Sequence, residues 1–334
     1  MPAVSVIMPT WNPGAFLAAS VDSILNQTMA DLELVIVDDG STDGEVERVL
    51  AARPDPRIRL IRNPKNVGIG ASYTAAIPTC SSPWIAVIDS DDIAHPMRLE
   101  MQLKALSADR SLDAIATTIE IIDRDGHFLE SYPSFHSPAE IKAYALIVMP
   151  IPHPTLMARA ELFKEVGYRS EVRSAADYDM VLRALDKGYR IGSLSIPLYY
   201  YRRHSTSTTT VRNREHLTFV CLIQLCAARR RAGRPEQLGD LVKEADALVG
   251  SSTSLARIYC RYSAASASEG QPVLAAVHAA FSIRSRPTVR GMYLLAKNLL
   301  ISVGRDRGSL RPVFAGLLKG LFAALLLRDA KRVR

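Results

Sequence analysis

The 334-residue sequence predicts an α/β protein with a mostly parallel, Rossmann-like sheet over about residues 1–210 and an all-α region over 211–334. Three observations predict it. Short apolar runs without alternation, of the kind buried on both faces of a sheet, take turns with segments of helical spacing through the first hundred residues. A polar cluster stands immediately after each run. Past Arg212 the strand signals stop, and helical spacing continues with Gly/Pro punctuation.

Val4 to Met8 is the first apolar run, closed by the breakers Pro9-Thr10-Trp11-Asn12-Pro13 and followed by helical spacing from Ala15 to Leu25. Leu32 to Val37 repeats the unit, ending in Asp38-Asp39-Gly40-Ser41-Thr42-Asp43. Its helix is expected from about Glu45 to Ala52, with Ser41 or Thr42 and Glu45 resembling a capping box. Ile58 to Ile61 is the third run, before Lys65-Asn66-Val67-Gly68 and an Ala-rich helix. Trp84 to Ile88 is the fourth, and it stops at Asp89-Ser90-Asp91-Asp92.

Strands alternating with helices imply right-handed crossovers and a parallel sheet, in which ligands bind outside the carboxyl ends of the strands. Thr10 to Asn12, Asp38-Asp39, Lys65-Asn66 and Asp89 to Asp92 therefore fall on one edge. Three carboxylates within four residues repel one another unless a cation joins them. Hard oxygens at i and i+2 suit Mg2+ or Mn2+ bridging to phosphate. On the residues alone, a solvated acidic turn is an equal reading of this cluster. Tight-turn chemistry likewise serves Asp38 and Asp39, a turn hydroxyl serves Thr10, turn bracing serves Asn12, and a solvated surface cation serves Lys65.

Dinucleotide binding is a poor fit. Gly68-Ile69-Gly70 lacks a third glycine and follows the third run rather than the first, and no Walker loop is present.

Beyond the fourth run, a helix is expected over His95 to Leu106 and a strand over Asp113 to Ile122. Asp123-Arg124-Asp125-Gly126 reads as a hairpin turn before Phe128 to Tyr132. His153 lies between two prolines and reads as a rigid corner. A helix opens at Ala176-Asp177-Tyr178-Asp179, where Asp177 alone would read as an N-cap. Tyr199-Tyr200-Tyr201-Arg202-Arg203-His204 closes the α/β part.

The net charge of +7 divides unevenly: residues 211–334 hold 21 Lys+Arg against 8 Asp+Glu, leaving −6 for residues 1–210. A basic helical region without a nucleic-acid module points to an anionic membrane surface and to no nucleic-acid partner. Helices are expected over Leu217 to Arg231, Leu238 to Val249 and three further segments to Val303. Leu310 to Arg334 reads equally as an interfacial helix and as a helix packed on the protein's own core. Val313 to Leu327, interrupted by Lys319, is too short to span a bilayer. With a strand beginning almost at once at Val4, no signal peptide is expected. The four cysteines lack CxxC spacing, which fits a reducing compartment and buried thiols.

Val4 to Asn12, the Val37 to Asp43 block, the Asn66-Val67-Gly68 loop and Asp89-Ser90-Asp91-Asp92, in this order and at these separations, resemble the inverting family 2 nucleotide-sugar glycosyltransferases of GT-A fold. The resemblance covers about residues 1–210, with a nucleotide-binding half of about 1–94 and an acceptor half of about 95–210. It implies a nucleotide-diphosphate-sugar donor, UDP- or dTDP-linked, a divalent metal, Mg2+ or Mn2+, and a glycan or lipid-linked acceptor in polysaccharide or cell-envelope synthesis. By position it implies Asp177 as the catalytic base. Thr10, Asn12, Asp39, Lys65, Asn66, Asp89, Ser90 and Arg202 would bind the nucleotide-sugar, and Asp91 and His204 the metal. It also implies a cytoplasmic protein, peripheral at the inner face of the plasma membrane if the last segment meets lipid.

Two positions depart from the family pattern. Ala176 stands where the family usually has Glu, and Tyr73-Thr74 stand where it often has Arg-Asn. The first keeps open a non-catalytic relative that binds nucleotide-sugar or glycan. A sugar nucleotidyltransferase is a weaker alternative, since Pro9-Thr10-Trp11-Asn12 occupies the place of its Gly-rich loop.

Overall fold

The computed structural model describes residues 1–132, 137–145, 149–204 and 214–249. The chain divides into two compact units, Met1–Arg212 and Asn213–Arg334. The helices expected beyond Val249, including the 310–334 segment read as membrane-associating, lie outside the described residues.

In the first unit, β1 (Val4–Thr10) and β2 (Leu32–Asp38) bury every residue, as expected of central strands with both faces covered. β2 also pairs in parallel with β3 (Ile58–Arg62), and β1 with β4 (Trp84–Val87). Helices α1 (Leu17–Leu25), α2 (Glu45–Ala51) and α3 (Ile69–Ala76) form the crossovers. Leu17, Val21, Ile24, Val46 and Val49 press onto Val6, Met8, Leu34 and Ile36 in one core.

The chain then folds a second set of strands onto β4. These are β5 (Ile93–Ala94), β6 (Ala114–Ile122), β7 (Phe128–Tyr132), β8 (Met157–Arg159) and β9 (Ile191–Arg202). Among the described residues they complete a nine-stranded sheet of order β3-β2-β1-β4-β8-β6-β9-β5, with β7 on β6. β8 runs antiparallel to both β4 and β6, whereas β9 lies parallel to β6. The helices of this half are α4 (Arg98–Ala108), α5 (Pro138–Tyr144), α6 (Ala160–Val166) and α7 (Ala176–Asp186).

Two expectations need correction. The helix expected from His95 starts at Arg98, because Ile93 and Ala94 pair with Tyr200 and Tyr199 of β9 and the His95 N–H donates to the Leu198 carbonyl. The Ser41/Thr42–Glu45 capping box does not form: Gly44, at φ 72°, is the N-cap of α2 without a side-chain bond. Ser41 Oγ instead accepts from Asn12 N, and Glu45 pairs with Arg48.

The described part of the second unit is α8 (Arg214–Arg231) and α9 (Leu238–Val249). They bury Cys221, Leu222, Leu225 and Cys226 against Leu241, Ala245 and Val249. No helix among the described residues is long and apolar enough to cross a membrane.

Candidate active site

Parallel pairing puts the ends of β1, β2, β3 and β4 on one edge, and the loops after them are tied to one another. Thr10 lies opposite Asp38 in the ladder, and the Asp39 N–H donates to the Thr10 carbonyl. Asn12, exposed and at φ 47°, uses Oδ1 to accept from Thr42 N at 2.8 Å, so its side chain braces the first loop on the second. Asp39 is buried and accepts from Asn63 Nδ2, Val67 N and Gly68 N at 2.8–3.0 Å. Its carboxylate therefore shapes the third loop. Asp38 takes the tight-turn role, accepting from Ser41 N and pairing with Arg62.

Gly40 sits at φ 75°, and a Cβ there would come within 2.6 Å of the Lys65 backbone, so only glycine lets the second and third loops touch. Lys65 and Asn66 stand exposed beside it. Thr10 is 3% exposed, and its Oγ1 has no hydrogen-bond partner among the described residues.

The acidic turn after β4 divides its carboxylates between two roles. Asp89, Asp91 and Asp92 bring oxygens within 4.8 Å of one another. Asp92 is fully buried and committed to the protein: Tyr199 Oη donates to its Oδ2 at 2.7 Å and Arg202 N to its Oδ1 at 2.7 Å. Ser20 Oγ holds the turn's backbone by donating to the Ser90 and Asp92 carbonyls. Asp91 faces His204, with Nε2 to Oδ2 at 2.9 Å, and Phe16 lies against the imidazole at 4.9 Å between ring centres. The Asp89 carboxylate has no hydrogen-bond partner among the described residues, and the Ser90 side chain is half-buried beside it.

This clustering costs electrostatic energy. Burial, with the charges of Asp91 and Asp177 added, pushes Asp89 up to about 8, and Asp92 is raised well above the carboxylate range by burial, Asp91 and Asp89. The counterweight inside the protein is Arg98, a fully buried side chain whose guanidinium is 5.1 Å from the Tyr199 ring centre and donates to the Val87 carbonyl. A divalent cation is what the exposed side of such a cluster fits. The donors available to it are the hard oxygens of Asp89 and Asp91 and the imidazole of His204.

Arg202 is buried, and its guanidinium donates to the carbonyls of Asp91, Asp123 and Arg124. The structure thus sets it under the acidic turn as a brace, while its backbone N–H secures Asp92.

Opposite these loops, α7 begins at Ala176 with Ala175 as its N-cap at φ 62° and no side-chain cap. Ala175 and Asn12 are, among the described residues, the two non-glycine residues with positive φ, and both border this site. Backbone strain of this kind clusters at functional sites. Asp177, in the first turn of α7, is half-buried with no hydrogen-bond partner among the described residues, so capping does not account for it. Asp179, two residues further on in the same first turn, is buried between Arg169 and Arg183, and Arg183 also donates to the carbonyls of Val166 and Gly167. That ion pair fixes the start of α7.

Below the acids lies an aromatic floor that the sequence reading did not find. The Tyr73 and Tyr168 rings stack at 4.6 Å between centres, and Tyr168 Oη is 2.8 Å from His153 Nε2. Burial holds His153 below its ordinary range, so the imidazole is neutral at the corner where the prolines placed it.

The model described as Glycosyl transferase family 2 matches residues 5–167. An uncharacterized glycosyltransferase of Methanocaldococcus jannaschii is 33% identical over 205 residues, which are 60% of this chain and 71% of that protein. The O-antigen biosynthesis glycosyltransferase WbnJ of Escherichia coli is 32% identical over 213 residues, 61% of this chain and 81% of its own. The crystal structure of S. aureus TarS 1–349 in complex with UDP-GlcNAc has the same fold, with a TM-score of 0.63 at 17% identity over 89% of either chain.

Proposed function

Because this chain belongs to glycosyl transferase family 2, and is therefore a glycosyltransferase, we propose that it is an inverting, metal-dependent enzyme that moves a sugar from a UDP donor to a hydroxyl of a glycan or lipid-linked acceptor. The observation that carries this reading is the convergence of Asp91 with His204 on one side and of Asp89 with Asp177 on the other, at one edge of the sheet. The acids beside them are bonded within the protein. The carboxylates of Asp89 and Asp177 have no hydrogen-bond partner among the described residues and can meet a ligand.

In this reading Thr10, Asp39, Lys65 and Asn66 frame the nucleotide, and Asp89 and Ser90 meet the ribose or the sugar. Asn12 and Arg202 act by holding the loops that do so. Asp177 takes the proton of the acceptor hydroxyl as its oxygen bonds to the anomeric carbon. The bond to the nucleotide diphosphate breaks on the opposite face, and the proton stays on Asp177. A divalent cation bound by Asp91 and His204, with Asp89 beside it, would offset charge on the departing diphosphate, a contribution of several kcal/mol in general. Proton abstraction by a positioned base supplies typically about 10²- to 10⁴-fold.

UDP is favoured by the UDP-GlcNAc bound to TarS, and a polysaccharide or cell-envelope acceptor by the O-antigen role of WbnJ. Calorimetry with UDP, dTDP and GDP, each with and without Mn2+, tests the donor class. The expected result is Mn2+-dependent binding of UDP that Asp91→Ala abolishes. Asp177→Asn is expected to bind UDP normally and lose transfer; transfer by that variant would remove the base, and absence of turnover in the wild type would leave the binding-only relative.

A further inference from the structure

We propose that Phe16 is a positioning residue for the metal site: its ring sets the plane of the His204 imidazole, so that Nε2 points at the cation held with Asp91. This rests on the reading of Asp91 and His204 as metal ligands. The Phe16 and His204 rings lie 4.9 Å apart between centres, with their planes 33° from each other. Aromatic pairs at that separation attract beyond the area they bury. His204 Nε2 is 2.9 Å from Asp91 Oδ2, a contact that fixes one atom of the ring and not its tilt. A metal takes the lone pair in the imidazole plane, so the tilt decides whether the nitrogen meets the ion. Phe16 supplies a surface against which that tilt is set.

The ring is itself held in place. Phe16 ends the 3-10 turn Gly14–Phe16, which leads into α1. At the start of that turn Gly14 N donates to Asp43 Oδ2 at 3.1 Å. On the helix side Ser20 Oγ lies 3.3 Å from the Phe16 carbonyl, and the same hydroxyl reaches the Ser90 and Asp92 carbonyls of the acidic turn at 2.9 and 2.6 Å. The Phe16 side chain is half-buried. That of His204 is 12% exposed, open enough to meet an ion and covered enough to be packed. Arg202 also lies against the ring, its guanidinium 5.1 Å from the ring centre, but it is separately fixed by its bonds to the Asp91, Asp123 and Arg124 carbonyls. The contact with a consequence for a ligand is therefore the one to His204. There the loop after β1, the turn after β4 and the segment after β9 meet.

Phe16→Leu keeps an apolar side chain and removes the aromatic face. Mn2+ is titrated calorimetrically into the full chain saturated with UDP, against a blank of UDP alone, for the wild type, Phe16→Leu, Phe16→Tyr, His204→Ala and the double variant of Phe16→Leu with His204→Ala. The expected result is Mn2+ affinity about fivefold weaker in Phe16→Leu, the scale of one aromatic pair, and retained in Phe16→Tyr. UDP affinity in EDTA should be unchanged in both. In the His204→Ala background Phe16→Leu should weaken Mn2+ binding no further, because the ring acts only through the imidazole. Equal loss in both backgrounds would overturn the proposal, since the ring would then act through Arg202 or through the fold. An unchanged Mn2+ affinity in Phe16→Leu, or an equal loss in Phe16→Tyr, would overturn it as well. His204→Ala binding Mn2+ as tightly as the wild type would remove the ligand reading itself, and this proposal with it, whereas failure of the Phe16 arm alone leaves that reading standing.

Discussion

His204 Nε2 lies 2.9 Å from Asp91 Oδ2, so the last described residue of the first unit meets the acidic turn that follows the fourth strand. Two residues 113 positions apart thereby form one hydrogen-bonded pair, which in the proposed reading holds the metal. His204→Ala should weaken Mn2+-dependent UDP binding by about tenfold or more while leaving metal-free binding unchanged, and Asp91→Ala should remove the metal dependence altogether. Calorimetric titration in Mn2+ and in EDTA reads both.

The acidic turn makes metal-free stability pH-dependent. Asp89 has a folded-state pKa of about 8, above its unfolded value, so the folded protein holds more protons than the unfolded chain between about pH 4 and 8. Stability in EDTA should therefore fall as pH rises through that window. Saturating Mn2+ or Asp89→Asn should flatten the slope, as read from melting temperatures across pH 5 to 9; an equal slope in all three would refute the assignment.

Asp39 ties three donors of the third loop to the end of β2. Its replacement by Ala strands two backbone N–H groups, and the expected loss is about 3 kcal/mol by chemical denaturation. UDP affinity should fall in the same variant, because Lys65 and Asn66 ride on that loop.

The Asp179 ion pair is a matter of folding rather than of chemistry. Asp179→Ala removes the buried carboxylate that Arg169 and Arg183 share, and breaking a buried pair costs about 3–5 kcal/mol. Denaturation midpoints of Asp179→Ala and Arg183→Met should both drop.

Gly40→Ala tests the contact between loops. Strain at φ 75° and a 2.6 Å approach to Lys65 act together, and weaker UDP binding is expected from a protein that still folds. Unchanged affinity would show that the third loop does not meet the nucleotide.

The central strands were legible because burial on both faces leaves an unbroken apolar run, as in Val4–Thr10 and Leu32–Asp38. The edge on which the site stands followed from strand order alone. Local rules failed where a distant strand intervened: His95 reads as helix in its own neighbourhood, but its N–H belongs to Leu198. Side-chain division of labour was also hidden. Nothing in Asp89-Ser90-Asp91-Asp92 tells that Asp92 faces Tyr199 and Arg202 while Asp91 faces His204. Arg202 reads as a phosphate ligand by its place in a motif and is found beneath three carbonyls. Tyr73 was visible only as a departure, and its stacking on Tyr168 is a contact that periodicity does not encode.

The acidic turn also ties the order of synthesis to competence. Tyr199, Arg202 and His204 emerge 107, 110 and 113 residues after the carboxylates they hold, so those carboxylates lack these partners until β9 has been made and docked. Closing so long a loop is entropically unfavourable, and slow for that reason. A nascent chain ending before β9 would carry the parallel strands and a cluster of acids still lacking the bonds from Tyr199, Arg202 and His204. Affinity for the nucleotide then becomes a reporter of complete folding, and a refolding experiment that follows UDP binding should lag one that follows the early strands.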